Sequence, residues 1–319
     1  MQIEIIGAES LGVRGLCCFV AAGARKILID PGIALGFVRN GLAPHPAQVA
    51  VDEAIRAHIR KAWQMATDIV FSHYHGDHVP LVDANPYQLE VSEVAGLNPG
   101  LRIWAKAPEY LSPKELKRSS ALKALLDAQW HEGDLGRGPF VFSMPVPHGE
   151  KTEAGEKVMM TRIEEHAVFV HASDIQLLDD ETVDLILDWE PDIVLADGPP
   201  LYLKRLSAQQ RNRAWENALR LANSVSTLIL DHHLLRNKEG LVWLRRLSLE
   251  SGRKVVCAAD FMAKPRLLLE AQRKALYDEM PVSPDWHQAY GEGKTTTRGF
   301  HGFIRGAMVS HGGETELGS

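Results

Sequence analysis

The sequence predicts an α/β fold built from two β-rich stretches, each followed by helices, and three observations predict it. Short apolar runs of strand length, punctuated by glycine, fill the first thirty residues and recur between about residues 140 and 170. After each stretch, segments with apolar residues at helical spacing alternate with short apolar runs, the rhythm of strands joined by helices. Histidine and aspartate stand directly behind several of those runs, so the strand ends carry the chemistry.

Residues 3–6, 15–21 and 26–29 read as adjacent strands, and Asp30-Pro31-Gly32 stops the third sharply. A loop through Gly36, Gly41, Pro44 and Pro46 leads into a helix over 47–66, where Val51, Ile55, Ile59 and Ala62 recur at helical spacing. The apolar run 68–71 is a buried strand that opens directly into Ser72-His73-Tyr74-His75-Gly76-Asp77-His78. Residues 101–104 are strand-like. A helix is predicted over 113–130, with Ser112 as its N-cap and Pro113 at the first helical position.

The second β-rich stretch begins with 140–144, which runs into Pro145-Val146-Pro147-His148-Gly149. Residues 157–163 and 167–170 read as a hairpin whose second strand leads to His171-Ala172-Ser173-Asp174. Helices over 181–189, 207–225 and 238–251 then precede strands over 193–196, 227–230 and 254–258, and a helix over 263–280 closes the series. Residues 1–280 are expected to form one domain of two pseudo-equivalent halves. Residues 281–319, rich in Gly, Thr and polar side chains, form a C-terminal extension expected to wrap the body, cover the site, join a partner in a homo-oligomer or stay partly mobile.

The bulk numbers narrow the function class. With 35 Lys and Arg against 41 Asp and Glu, the net charge is −6, which argues against a dominant nucleic-acid-binding face. Three cysteines make no disulfide framework; adjacent Cys17 and Cys18 and the apolar setting of Cys257 read as core filler in a reducing compartment. Residues 1–6 read as a strand rather than a signal peptide, and no apolar stretch reaches the roughly 20 residues that span a bilayer. A cytoplasmic protein without membrane attachment is expected. Neither a phosphate-cradling glycine loop nor a nucleophile elbow is present.

The His73–His78 cluster carries the functional reading. Neutral imidazole nitrogens and carboxylate oxygens are metal ligands. In extended backbone His73 and His75 point to one side, and after the Gly76 turn Asp77 and His78 can face a second ion. His148, Asp174 and the His232-His233 pair, each behind a strand, would supply the remaining donors, and a carboxylate such as Asp174 can bridge. A divalent ion lowers the pKa of bound water to about 7, and two ions about 3.5–4 Å apart can clamp nucleophile and leaving oxygen. Such ligands suit Zn first, with Mn or Fe as alternatives.

The order His73-x-His75-x-Asp77-His78, His148, Asp174 and a late histidine resembles the ligand set of the metallo-β-lactamase superfamily, and Asp30-Pro31-Gly32 is similar to its early strand-end motif. Residues Glu9 to Arg14, Asp197-Gly198-Pro199-Pro200 and Asp231-His232-His233 look like a branch of predicted metal-dependent hydrolases. The resemblance implies a four-layer αββα sandwich, two mixed β-sheets face to face with helices outside. It implies His73, His75 and His148 on one ion, Asp77, His78 and His232 on a second, and Asp174 between them. His232 and His233 stay open as the last ligand, with strand-end placement favouring His232.

The function expected from this reading is hydrolysis of an ester, lactone or phosphoester of a small molecule by a metal-bridging hydroxide, with Asp77 also placed to take its proton. The alternatives are a phosphodiesterase or nuclease, disfavoured by charge and by the short intervals between ligands, and an iron-dependent oxygen or redox enzyme, disfavoured because His75 keeps an imidazole. Asp30, Asp197 and Asp231 are candidates to orient ligands or shape turns, and His171 and His233 are candidates for substrate contact. Arg14, Tyr202, Arg236 and Lys264 are candidates to clamp an anion. His45, His58, His131, His166, His287, His301 and His311 read as ordinary surface histidines. Specificity is expected in loops 31–46, 87–99 and 198–207.

Overall fold

Asp68–Phe71 and Thr227–Leu230 are buried at every position, as central parallel strands covered on both faces must be. The computed structural model builds a six-stranded mixed sheet around each; it describes residues 1–39, 41–133, 140–151 and 155–302. In the first sheet β1 (Gln2–Gly7), β2 (Cys17–Ala22) and β3 (Arg25–Ile29) pair antiparallel. α1 (Pro46–Met65) crosses to β4 (Asp68–Phe71), and β5 (Leu101–Ala105), α2 (Pro113–Leu125) and β6 (Ala128–Glu132) complete a parallel half, in the order β1-β2-β3-β4-β5-β6.

The second sheet repeats this plan. β7 (Phe140–Phe142) is followed by a two-stranded ribbon of β8 (Val146–Pro147) and β9 (Lys157–Val158), then by β10 (Thr161–Glu164) and β11 (Val168–Ser173). β7, β10 and β11 pair antiparallel. α3 (Asp180–Asp188), β12 (Ile193–Ala196), α4 (Ala208–Ser224), β13 (Thr227–Leu230), α5 (Glu239–Ser251) and β14 (Lys254–Val256) extend the sheet with parallel strands. Each half is thus three antiparallel strands continued by three parallel ones. Side chains of both sheets, Phe71 and Phe169 among them, belong to one hydrophobic core.

Local signals hold where they are chemical. Ser112 and Glu115 form a capping box on α2, and Val51, Ile55, Ile59 and Ala62 form the buried face of α1. Four expectations are corrected. The helix predicted to residue 130 stops at Leu125, because β5 offers a backbone ladder (Ile103 opposite Trp130) and Phe71 a ring contact to Trp130 at 5.9 Å. The predicted hairpin strand 157–163 splits: Met159 donates its N–H to Ser72 O at 2.9 Å, moving the chain from the ribbon to the sheet.

Of the predicted helix 263–280 only α7 (Arg273–Glu279) forms, after the short α6 (Ala258–Phe261) that ends before it, because Ala263 adopts φ 51° and Leu267 donates to Ser10 O at 2.7 Å. Finally, His45 is fully buried rather than on the surface: its Nδ1 accepts the Ala47 N–H and caps α1. His287 is bound between the hydroxyls of Tyr87 and Tyr277. His311 lies outside the described residues.

The described part of the C-terminal extension contains α8 (Trp286–Gly291) and docks on the start of α1. Tyr290 and Thr297 donate to the two oxygens of Glu53, at 2.8 and 2.5 Å. The extension from residue 303 onward lies outside the described residues. All three cysteines are buried and unpaired. Among the described residues, no helix is long and apolar enough to cross a membrane.

Candidate metal centre

Most of the residues in question leave the C-terminal ends of parallel strands, where open α/β sheets place their ligands. Asp30 follows β3, Ser72 to His78 follow β4, Asp174 follows β11, Asp197 follows β12 and Asp231 to His233 follow β13. His148 follows the ribbon strand β8. The turns are tight: Asp30, Ser173 and His232 hold φ of 47°, 55° and 28°, a left-handed conformation costing on the order of 1–3 kcal/mol per residue outside glycine. Gly32 passes so close under the cluster that a Cβ there would lie 2.2 Å from Val79 N and 2.3 Å from His78 C. Its N–H donates to His78 O at 3.0 Å.

Asp174 is the hub. Its Oδ2 lies 3.2 Å from His78 Nε2, 3.4 Å from His148 Nε2, 3.6 Å from His232 Nε2, 3.9 Å from His73 Nε2 and 4.0 Å from His233 Nδ1. Asp77 Oδ2 is 3.4 Å from His232 Nε2. Donor atoms about 2.1 Å from a tetrahedral ion stand about 3.4 Å from one another, so these separations match ligand spacing. Among the described residues four donor groups arise: His73 with His75, His148 and Asp174; Asp77 with His78 and His232; Asp174 with His232 and His233; and Asp30 with His73 and His78. The Nε2 atoms of His73, His78 and His148 and the Oδ1 of Asp174 are buried without a hydrogen-bond partner. Orphaned lone pairs aimed at a common point are what a bound cation would satisfy.

The surroundings fix several of the donors. Asp30 Oδ2 accepts from His78 Nδ1 at 2.9 Å, from Ser72 Oγ at 2.6 Å and from Ser173 Oγ at 3.1 Å, while its Oδ1 takes the Ser72 N–H at 2.8 Å. The carboxylate therefore holds the proton of His78 on Nδ1 and leaves the Nε2 lone pair for the site. Ser72 Oγ also reaches His73 Nδ1 at 2.9 Å, Gln176 Nε2 lies 3.2 Å from His148 Nδ1 and Glu156 Oε2 2.9 Å from His75 Nε2. His233 Nδ1 donates to Asp197 Oδ2 at 2.6 Å. His232 has a donor against each nitrogen, the Gly15 N–H 3.1 Å from Nδ1 and Arg236 Nη2 2.8 Å from Nε2, and the neutral ring can accept from only one of them.

Burial and neighbouring charges set most of these donors in the form that binds a cation. Burial and the neighbouring charges of His78 and His75 keep the His73 imidazole well below its ordinary pKa. Burial and the Arg236 charge push His232 down to about 4, and they also lower His233 well below the usual range. Neutral imidazole is the ligand form. Burial would raise the Asp174 carboxyl, but the charges of His78 and His232 outweigh it and hold the group well below the carboxylate range. Burial would likewise raise Asp77, and the His232 hydrogen bond and the His78 charge reverse that. His78 is the exception: burial would lower it, but the Asp174 and Asp30 carboxylates raise it, so a cation at Nε2 would take the place of a proton.

Other sequence candidates find different places. Asp231 accepts from Ser10 N, Ala258 N and its neighbour His232 N, so it ties three loops together. Asp197 takes the Gln176 N–H besides His233. His171 is buried and reaches Leu16 O at 2.9 Å, linking the two halves rather than joining a donor group. Arg236 stands beside the cluster at His232 and Asp77 and donates to Tyr202, Arg14 pairs with Glu270, and the charge of Lys264 helps to lower the Glu4 carboxyl of β1. Ser72, Glu156, Ser173 and Gln176 were not singled out as site residues. Ser72 and Ser173 stand inside the quoted strand-end runs and so carry a local signal; Glu156 and Gln176 reach the site through the fold.

No family model matches the chain. It is similar along most of its length to several curated proteins. A UPF0282 protein of Methanosarcina mazei is 50% identical over 297 residues, covering 92% of this chain and 97% of that protein. UPF0282 proteins of Pyrococcus furiosus and Methanopyrus kandleri are each 33% identical, over 290 and 295 residues, covering 87% and 88% of this chain and 92% and 100% of theirs. With identity of 33 to 50% over nearly the whole of both chains, this protein belongs to the UPF0282 family.

Proposed function

We propose that the protein is a metal-dependent hydrolase with the αββα architecture of the metallo-β-lactamase superfamily, holding two divalent ions, Zn ahead of Mn or Fe, and acting on an ester, lactone or phosphoester bond of a small molecule. The observation that carries the reading is the convergence of orphaned buried nitrogens on Asp174, each at ligand spacing. The two six-stranded sheets with matching strand plans support the fold assignment.

His73, His75, His148 and Asp174 would hold one ion, and Asp77, His78, His232 and Asp174 the other. Divalent ions so held would acidify water at neutral pH and stabilise negative charge developing on the oxygen of the bond under attack. Asp30 keeps the His78 tautomer correct. Asp77, with 18% of its side chain accessible, can accept a hydrogen bond from water entering the site and orient it. A purely structural ion is disfavoured because such sites are closed and cysteine-rich, whereas His75, Asp77 and His148 keep 26, 18 and 15% side-chain exposure.

The test is metal analysis of the purified protein together with hydrolysis of phosphodiester, thioester, lactone and carboxylic ester substrates. About two ions per chain are expected, with hydrolysis lost in Asp77→Ala and restored in the parent after chelation and reloading. A protein that binds no divalent ion refutes the reading. Dominant iron with oxygen consumption refutes the hydrolase assignment.

A further inference from the structure

Arg236 stands in the wall of the candidate centre without a ligand's role. It ends the short turn Leu234–Arg236 behind β13 and is 7% exposed. Its Nη2 lies 2.8 Å from His232 Nε2 and 3.5 Å from Asp77 Oδ2, and Nη1 donates to the Tyr202 hydroxyl at 3.1 Å. Nε is buried with no hydrogen-bond partner, 3.7 Å from Glu9 Oε2. Tyr202 carries a second guanidinium: Arg39 Cζ is 5.8 Å and Arg236 Cζ 5.9 Å from its ring centroid. Glu270 tethers Arg39 at 2.7 Å and Arg14 at 2.6 Å. Three guanidiniums therefore share one wall with two carboxylates, Glu9 and Glu270.

The nitrogen His232 Nε2 has one lone pair. An ion bound there occupies that lone pair, so Arg236 Nη2 has no acceptor on the imidazole and keeps only Asp77 Oδ2 at 3.5 Å, while its buried Nε has none. The ion also places the guanidinium beside a second cation, an arrangement that is unfavourable unless an anion stands between them. An oxyanion reaching from the ion to the guanidinium satisfies both, and the planar fork of arginine fits the paired oxygens of phosphate or carboxylate.

We propose that Arg236, with Tyr202 and Arg39, forms a subsite that holds an anionic group, phosphate or carboxylate, of the small-molecule substrate. The proposal rests on the hydrolase reading above and narrows its substrates to anionic compounds. Arg236 makes the direct contact, Tyr202 fixes the guanidinium plane and Arg39 adds charge from the loop after β3.

The test begins with zinc uptake, then titrates the zinc-loaded protein calorimetrically with inorganic phosphate and with acetate, in the parent and in Arg236→Met, Arg39→Met and Tyr202→Phe. Expected is a rise in Kd of about 10- to 100-fold for at least one anion in Arg236→Met, the loss of a hydrogen bond to a charged group. A several-fold rise is expected in the other two variants, which touch no ligand and should keep the parent zinc content. The anion whose affinity falls identifies the group recognised. Two zinc ions per chain with anion affinity within twofold of the parent in all three variants overturn the subsite alone, as does a parent that binds neither anion. A protein that takes up no zinc overturns the hydrolase reading and the subsite with it.

Discussion

Replacing Asp30 by Asn changes one atom of a fully buried side chain and should disable the centre without disturbing its shape. Asp30 meets four donors with two acceptor oxygens: Ser72 N on Oδ1, and Ser72 Oγ, Ser173 Oγ and His78 Nδ1 on Oδ2. The backbone N–H of Ser72 cannot become an acceptor, so the carboxamide oxygen must stay at Oδ1 and its NH2 must take the Oδ2 position. The two serine hydroxyls can rotate to accept. His78 cannot: its Nδ1 must give up its proton and accept, which moves the proton to Nε2, the atom 3.2 Å from Asp174. The lone pair meant for an ion is then blocked.

Loss of such an orienting partner typically costs 10- to 100-fold in metal affinity, about 1.4–2.7 kcal/mol. Competition with a chromophoric chelator measures this directly, and thermal melting with and without zinc checks it, since the stabilisation by zinc should shrink by the same amount. An Asp30→Asn protein that loads both ions with parental affinity would refute the tautomer argument, and with it the assignment of His78 Nε2 as a donor.

Three further outcomes are expected. Asp68, buried in β4, accepts from Trp104, Thr67, Arg25 and Arg102; burial would raise its carboxyl, but these partners lower it below the ordinary value. A depressed folded pKa gives stability that is present above the unfolded value of about 4 and lost as pH falls through the folded one. Asp68→Asn should therefore cost about 2 kcal/mol at pH 7 and progressively less below pH 4 in urea unfolding; an equal cost at pH 3 and pH 7 contradicts this. Gly32→Ala drives a Cβ into the backbone of His78 and Val79, so overpacking should cost about 3 kcal/mol, and a denaturation midpoint equal to the parent's would exclude the close approach. Glu53→Ala removes both acceptors of Tyr290 and Thr297 and should speed limited proteolysis within residues 286–302, while zinc content stays at the parental value; unchanged cleavage would show that the segment is held otherwise.

Several features were legible because they are local. The capping box at Ser112 and Glu115 needs only four neighbouring residues, and the helical stripe of α1 only a spacing. The Ser72–His78 motif announces ligand chemistry through residue type and its position behind an apolar run. What failed was decided by distant partners. Residues 128–130 have acceptable helical composition, yet pairing with β5 draws them into a strand. His45 lacked any spacing to mark it, and it is buried because α1 needs a cap where the loop from β3 enters the core.

The sequence by itself determined that metal-binding side chains follow strand-forming runs, because hydrophobic periodicity and donor chemistry are properties of short segments. Only the tertiary structure decided which of those side chains meet and which partners orient them. Asp30 reaches His78 across 48 residues and Arg14 reaches Glu270 across 256. The proton position on an imidazole and the placing of a guanidinium beside it depend on such contacts, which packing of the whole chain creates and no local pattern encodes.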